Sequence, residues 1–341
     1  MYDPTARRPL GRTALKVTQF GFGTAPLAGF RTTIPELDAI ATVNAAYDAG
    51  VRLFDSSPYY GYGRAELRMG AALRDRPRDD LVISTKIGRW MTPVPRGTTI
   101  EGMRRGGLNH YPTFDYSHDG VYRSLEQSLL RTGLDRVDIA LVHDVDFWTT
   151  GDRMVLEERF KQVMDGAHRA LTDLRSQGVI GAIGVGLNES DMSARFVRAG
   201  DFDCVLLAGR YTLLEQRALD DFMPLCVQRN VGVILGGPLN SGVLATGARQ
   251  GAKYDYMDAP AWVMNRVARI EDVCLRHGVP LAAAALQFPL AHPAMAAIIP
   301  GAVSQEELKS NLALLRHPIP ADLWTELKTL GLLDPRAPVP T

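Results

Sequence analysis

The stretch Ile139-Ala140-Leu141-Val142-His143-Asp144 decides the fold. Four apolar residues in succession, with no polar residue alternating between them, suit a strand covered on both faces, as in a parallel sheet. Helical patterns lie before it, at 120–132, and after it, at 158–177. The same arrangement recurs outward in both directions. Apolar runs stand at 17–23, 52–57 and 81–87 on one side and at 182–187, 204–209, 232–237 and 296–301 on the other. Helical patterns at 35–49, 64–74, 189–199, 216–229, 260–277 and 304–315 fill the intervals. With 138–144 this makes eight β-then-α units in strict alternation. They predict an α/β fold, a (β/α)8 TIM barrel, rather than an open doubly wound sheet.

Composition agrees with a large packed core. The chain has 341 residues, 46% of them hydrophobic, and its 38 basic side chains balance 38 acidic ones. Zero net charge, with a pI near 7.1, gives no general attraction to nucleic acid or to an anionic membrane surface. A small molecule is the expected partner. Three cysteines, Cys204, Cys226 and Cys274, form no CxxC pair, so neither a zinc site nor a disulfide framework is expected. Cationic residues near the start without an apolar run, and the polar breaks within 280–300, read as a cytoplasmic chain without signal peptide or membrane span.

No linker composition divides the chain, so residues 1–341 are expected to form one domain, with the proline-rich tail 334–341 on the surface. Two loops are long for a barrel, 89–119 after the third strand and 145–157 after the fourth. Both follow strand C-terminal ends, the face where barrel active sites lie, and read as lids or substrate walls.

Absent motifs exclude several chemistries. Gly61-Tyr62-Gly63 and Gly184-Val185-Gly186 both lack the third glycine of a dinucleotide fingerprint, and there is no P-loop, nucleophile elbow or HExxH. What remains are polar residues at strand ends: Asp55, then Tyr60, Lys86 and His143. Taken singly, each has a plainer reading: a loop cap, wall packing, a solvated charge, a core histidine. Together at one barrel mouth, Asp55 would hold Lys86 as an ion pair. The cation would then favour ionised Tyr60 and make it a usable acid or base.

These residues sit in longer motifs. They are Gly50-Val51-Arg52-Leu53-Phe54-Asp55-Ser56-Ser57-Pro58-Tyr59-Tyr60-Gly61, Ile83-Ser84-Thr85-Lys86, and Leu134 to His143, followed by Gly237-Pro238-Leu239-Asn240-Ser241-Gly242 and Ile299-Pro300-Gly301-Ala302. In this order, over nearly the whole chain, they resemble the aldo-keto reductase family. The resemblance implies that Tyr60 is the general acid/base, that Lys86 and Asp55 tune it, and that His143 orients the substrate oxygen.

It also implies a nicotinamide dinucleotide across the barrel mouth. The residues expected to hold it are Gly186 and Asn188, then Gly237, Pro238, Leu239 and Ser241, then Pro300, Gly301, Ala302, Glu307 and Asn311. This chain departs from the family pattern in three places, one of them Ala208 or Gly209 where a glutamine usually follows the sixth strand. It reads Gly184-Val185-Gly186-Leu187-Asn188 where Gly-Val-Ser-Asn is common, and it has Gly236 in place of the stacking aromatic, leaving Tyr211 to take that role. Members that use NADP commonly carry basic residues near Glu307; a carboxylate repels a 2′-phosphate and accepts from a free 2′-hydroxyl, so NAD is expected over NADP.

The segment Phe114-Asp115-Tyr116-Ser117-His118-Asp119-Gly120-Val121 and the form Val142-His143-Asp144 resemble the sugar-oxidising branch. That implies NAD-dependent oxidation of a cyclic hemiacetal to a lactone, with a D-threo-aldose such as L-fucose as first reading. Pyridoxal, oxidised at its hemiacetal to 4-pyridoxolactone, is the alternative; a broad NADPH-dependent aldehyde reductase and a non-enzymatic nucleotide-sensing subunit stand behind it. Trp90, His110, Tyr111, Phe147, Trp148 and Trp262 are the expected aromatic walls. No metal site is expected.

Overall fold

The computed structural model describes residues 2–29, 33–98, 100 and 107–341. Eight parallel strands form the barrel: β1 (Phe22–Gly23), β2 (Leu53–Asp55), β3 (Val82–Ile87), β4 (Ile139–His143), β5 (Ala182–Leu187), β6 (Cys204–Ala208), β7 (Gly232–Gly236) and β8 (Met295–Ile299). Each pairs with its neighbour in sequence order. A parallel bridge between Phe20 and Ile298 brings β8 round to β1 and nearly closes the ring. The helices that follow the strands in turn are α1 (Glu36–Asp48), α2 (Arg64–Leu73), α3 (His118–Thr132), α4 (His168–Ser176), α5 (Ser190–Ala199), α6 (Phe222–Arg229), α7 (Leu281–Gln287) and α8 (Gln305–Leu315).

Inside the ring, Leu53, Ile139, Leu141, Leu206, Ile234 and Ile299 pack as one apolar cluster. Leu10 and Val17 join that cluster from an antiparallel hairpin, Arg7–Pro9 with Lys16–Thr18. The hairpin caps the N-terminal end of the barrel: at Gly11 a Cβ would meet Asn230 O and Gly232 N at 2.6 Å, at the start of β7. The expected first strand, 17–23, is therefore two pieces. Its first residues belong to this plug, and only Phe22–Gly23 belongs to the barrel, because the chain must turn at the rim between them.

Two expectations about loops are corrected. The segment after β3 is not structureless: Arg89–Pro93 pairs antiparallel with His110–Phe114, though 99 and 101–106 lie outside the described residues. Gly88 starts that hairpin at φ +99°, and a Cβ there would stand 2.2 Å from the Tyr116 ring, so only glycine allows the reversal. The segment after β4 folds into two helices, Phe147–Thr150 and Arg153–Gln162, each capped by an aspartate, Asp146 and Asp152. The helix expected over 158–177 is likewise divided, by a π-turn at Val163–Ala167. The tail runs along the surface, Arg336 bridging Asp334 and Asp220, but it buries Ala337. Cys204, Cys226 and Cys274 are free and buried.

Candidate active site

Four side chains converge at the C-terminal ends of β2, β3 and β4. Asp55 ends β2 and Lys86 lies near the end of β3; both are buried and form an ion pair. Asp55 Oδ1 also accepts the Ser84 hydroxyl at 2.7 Å, and Lys86 Nζ donates to the Ser56 carbonyl at 2.9 Å. A buried pair survives only when its remaining hydrogen-bonding capacity is used, as here. Tyr60 sits in the turn after β2, its ring centroid 5.8 Å from Lys86 Nζ. His143 closes β4 and meets the Tyr60 ring edge-on, centroids 5.9 Å apart.

The electrostatics run against one expectation. Tyr60 is raised well above the ordinary tyrosine range, first by burial, then by Asp55, Tyr256 and Asp144, with Arg89 opposing. Lys86, the cation expected to favour the ionised form, is itself paired with Asp55. His143 is pushed well below its ordinary value by burial and by Arg89 and Lys86, which keeps the ring neutral. Tyr116, whose hydroxyl donates to the His143 carbonyl at 2.8 Å, is pushed up to about 12 by burial.

Residues that sequence reasoning passed over complete this centre. Arg89 Nη1 lies 3.0 Å from His143 Nδ1 and 2.9 Å from Asp144 Oδ2. Ser57 Oγ lies 3.2 Å from the same imidazole nitrogen. Asp144 takes a left-handed φ of +54°, and Asp146 Oδ2 accepts both the backbone and the side-chain N–H of Asn188, at 2.6 and 3.1 Å. Two carboxylates immediately after the strand-ending histidine were the available signal.

The residues expected to hold a nicotinamide dinucleotide occupy the neighbouring strand ends. Gly186 stands in register beside His143. Asn188 is tied by its side chain to Asp144 and Asp146, while its carbonyl accepts from Arg210 at 2.9 Å. Gly237, Pro238, Leu239 and Ser241 follow β7, where Ser241 adopts φ +58° and its hydroxyl accepts the Tyr256 N–H. Pro300, Gly301 and Ala302 link β8 to α8, which carries Glu307 and Asn311.

These residues fit such a group. Gly209 and Gly237 leave the ends of β6 and β7 bare, and a Cβ on Gly237 would meet nothing nearer than 3.8 Å. The result is an open backbone floor on which a flat, extended ligand can lie. Tyr211 does not contribute to it. The ring is fully buried between Phe288 and His292, each 5.3 Å away, so the expected stacking role is corrected. At the start of α8, Glu307 accepts the Val303 N–H at 2.8 Å while Ser304 Oγ accepts that of Glu307, a reciprocal cap.

The expected aromatic walls divide. Trp148 meets Tyr256 at 6.2 Å, and Trp262 meets Tyr254 at 5.6 Å on the same hairpin, Lys253–Tyr254 with Met257–Asp258. Phe147 shares Trp148's short helix, whose first N–H groups donate to Glu189. His110 Nδ1 donates to the Tyr62 carbonyl at 3.2 Å, which docks the long hairpin onto the Tyr60 turn. Tyr111 is exposed, and Trp90 lies under the Arg123 guanidinium of α3, at 4.5 Å.

Among the described residues, no cluster of three or more His, Cys, Asp or Glu could hold a metal ion, and no helix is long and apolar enough to cross a membrane. The sequence profile of the aldo/keto reductase family matches residues 19–331. The chain is 42% identical over 337 residues to pyridoxal 4-dehydrogenase of Microbacterium luteolum, covering 96% of this chain and 98% of that one. It is 34% identical over 325 residues to D-threo-aldose 1-dehydrogenase of a Pseudomonas species, covering 94% and 95%. In fold it is similar to an aldo-keto reductase of Bacillus halodurans, with a TM-score of 0.73 at 23% identity over 96% of both chains.

Proposed function

We propose, from the premise that this chain belongs to the aldo/keto reductase family, that it oxidises a cyclic hemiacetal to a lactone with NAD. One observation carries this reading: a buried Asp55–Lys86 pair beneath Tyr60, facing a histidine kept neutral. The strand ends at Gly209 and Gly237 would hold a nicotinamide dinucleotide, which when bound would supply the hydride acceptor. The hemiacetal carbon gives up its hydride, the hydroxyl proton passes to Tyr60, and the carbon–oxygen double bond of the lactone forms. Lys86, held by Asp55 and the Ser56 carbonyl, offsets the negative charge of the ionised Tyr60 that takes up the proton. His143, neutral, directs a hydrogen bond to the substrate oxygen.

Both named relatives support hemiacetal chemistry, since an aldose and pyridoxal each close into a ring of this kind. The higher identity, 42% against 34%, supports pyridoxal over the sugar, the reverse of the order the sequence alone suggested. The exposed Trp148–Tyr256 pair suits a pyridine face as well as a sugar face. NAD over NADP is supported by Glu307 at the start of α8 and by the lack of a basic residue beside it in the first turn.

A second reading has its own support. The raised Tyr60 holds its proton, which suits a general acid, and hence reduction of an aldehyde by NADPH. The deciding assay follows NADH absorbance with NAD and pyridoxal, L-fucose or D-arabinose in parallel. Turnover of pyridoxal alone supports the first-ranked substrate and turnover of the sugars alone the other. Silence with all three, with activity from NADPH and aldehydes, overturns the oxidative reading.

A further inference from the structure

Arg89 opens the hairpin after β3 and is almost wholly buried, with its guanidinium between the rings of Tyr59 and Phe114, each 4.4 Å away. One of its nitrogens, Nη1, serves both His143 Nδ1 and Asp144 Oδ2. We propose that Arg89 is a positioning residue that fixes His143 in the tautomer carrying its proton on Nε2, leaving that N–H as the donor for the reacting oxygen.

The argument is one of donor inventory. A guanidinium has N–H groups only and stays protonated, so the imidazole atom it touches must accept. A neutral imidazole has one acceptor and one donor nitrogen; with Nδ1 accepting, the proton resides on Nε2. Ser57 sits on the same side, 3.2 Å from Nδ1, with its oxygen already accepting the Tyr59 N–H. On the other side, Asp144 Oδ1 stands 3.5 Å from Nε2, which is compatible with a proton there.

The ionisable groups around the ring come from every neighbouring element. Lys86 comes from β3 with Asp55 behind it, Arg89 from the hairpin, Tyr59 and Tyr60 from the turn after β2, and Asp144 from β4's own end. Asp144 also anchors Arg89 itself. The same carboxylate thus keeps the guanidinium in place while the guanidinium sets the histidine.

The hemiacetal reading enters only in naming the oxygen that receives the bond; the tautomer belongs to the free protein. The test is therefore spectroscopic. Full-length protein labelled with ¹⁵N-histidine is followed from about pH 5 to about pH 9, the span in which histidines titrate. His143 is assigned by its loss in His143→Asn. The expected spectrum has an acceptor-type Nδ1 and a protonated Nε2, unchanged across the range. In Arg89→Met, His143 gains the other tautomer and begins to titrate. Its kcat/KM falls by about a hundredfold, the scale of a lost acid–base contribution, with NAD affinity retained. Arg89→Lys, which keeps a donor and a charge, recovers part of both. A wild-type proton on Nδ1 overturns the proposal, and so does an unchanged His143 signal in Arg89→Met. The expected spectra from a protein that oxidises no hemiacetal overturn the substrate reading and uphold the tautomer.

Discussion

Gly186 leaves exactly the room that Lys86 occupies: a Cβ on Gly186 would stand 3.2 Å from Lys86 Cε and 3.9 Å from His143 Cδ2. Its first role is thus to leave room inside the barrel for the lysine stem, which reaches from β3 to Asp55 on β2. Gly186→Ala should displace Lys86 by a few tenths of an ångström and lower kcat, because a small misplacement of a charged group is costly at a reacting centre. Dinucleotide affinity should change little. Equal losses in dinucleotide affinity and kcat would place Gly186 in the cofactor contact instead.

Removing the Tyr60 hydroxyl tests the centre directly. Tyr60→Phe should lower turnover by at least about a hundredfold, while NAD binding, read by fluorescence quenching, stays intact. Near-normal turnover in this variant would refute the assignment of Tyr60 as proton acceptor.

The pH dependence follows from the sign of the Tyr60 shift. Oxidation needs the unprotonated phenol, and Tyr60 lies well above the ordinary tyrosine value. The oxidative kcat/KM should therefore climb steadily from neutral pH to about pH 10, the unperturbed tyrosine value, without a plateau. A plateau near neutrality would mean that bound nucleotide lowers Tyr60 far more than the free protein does.

Buried histidines held neutral contribute to the loss of stability in acid. His292 is lowered to about 4 by burial, against an ordinary 6.5. Below pH 6.5 the unfolded chain takes up a proton that the folded one refuses, so stability declines as pH falls through that window. The loss approaches about 3 kcal/mol by pH 4, at about 1.4 kcal/mol per unit. Thermal melts should show this slope, and His292→Leu should flatten it.

Glu307 has two possible duties that one variant separates. As a cap it holds the Val303 N–H; as a charge it would accept from a bound 2′-hydroxyl and repel a 2′-phosphate. Glu307→Arg should lower Tm by a few degrees, the effect of losing a cap worth about 1 kcal/mol. It should also move the NAD-to-NADP ratio of kcat/KM toward NADP. A lower Tm with an unchanged ratio would leave Glu307 a cap alone.

The barrel was legible because its strands are uninterrupted apolar runs, and that signal is local. Ile139 to Val142 needs no partner to be read as a buried strand. Asp55, Lys86 and His143 were legible for a related reason, since a polar residue ending such a run must emerge at the mouth. Arg89 was not. It follows Gly88, whose left-handed turn breaks the strand alternation, so no periodic rule says which way the arginine points. Tyr256 was hidden for a similar reason. It occupies the second turn position of a two-residue hairpin at φ +65°, where glycine or asparagine is the ordinary signal. Tyr211 misled because an aromatic beside a strand end reads the same whether it faces the mouth or the core.

The hairpin that fills the N-terminal end of the barrel makes the catalytic mouth a blind alley. Nothing passes through the ring, so reactants and products share one doorway and must queue for it. Whichever of the two products lies deeper waits on the other, and the pace of a working cycle can then be set by departure instead of bond-breaking.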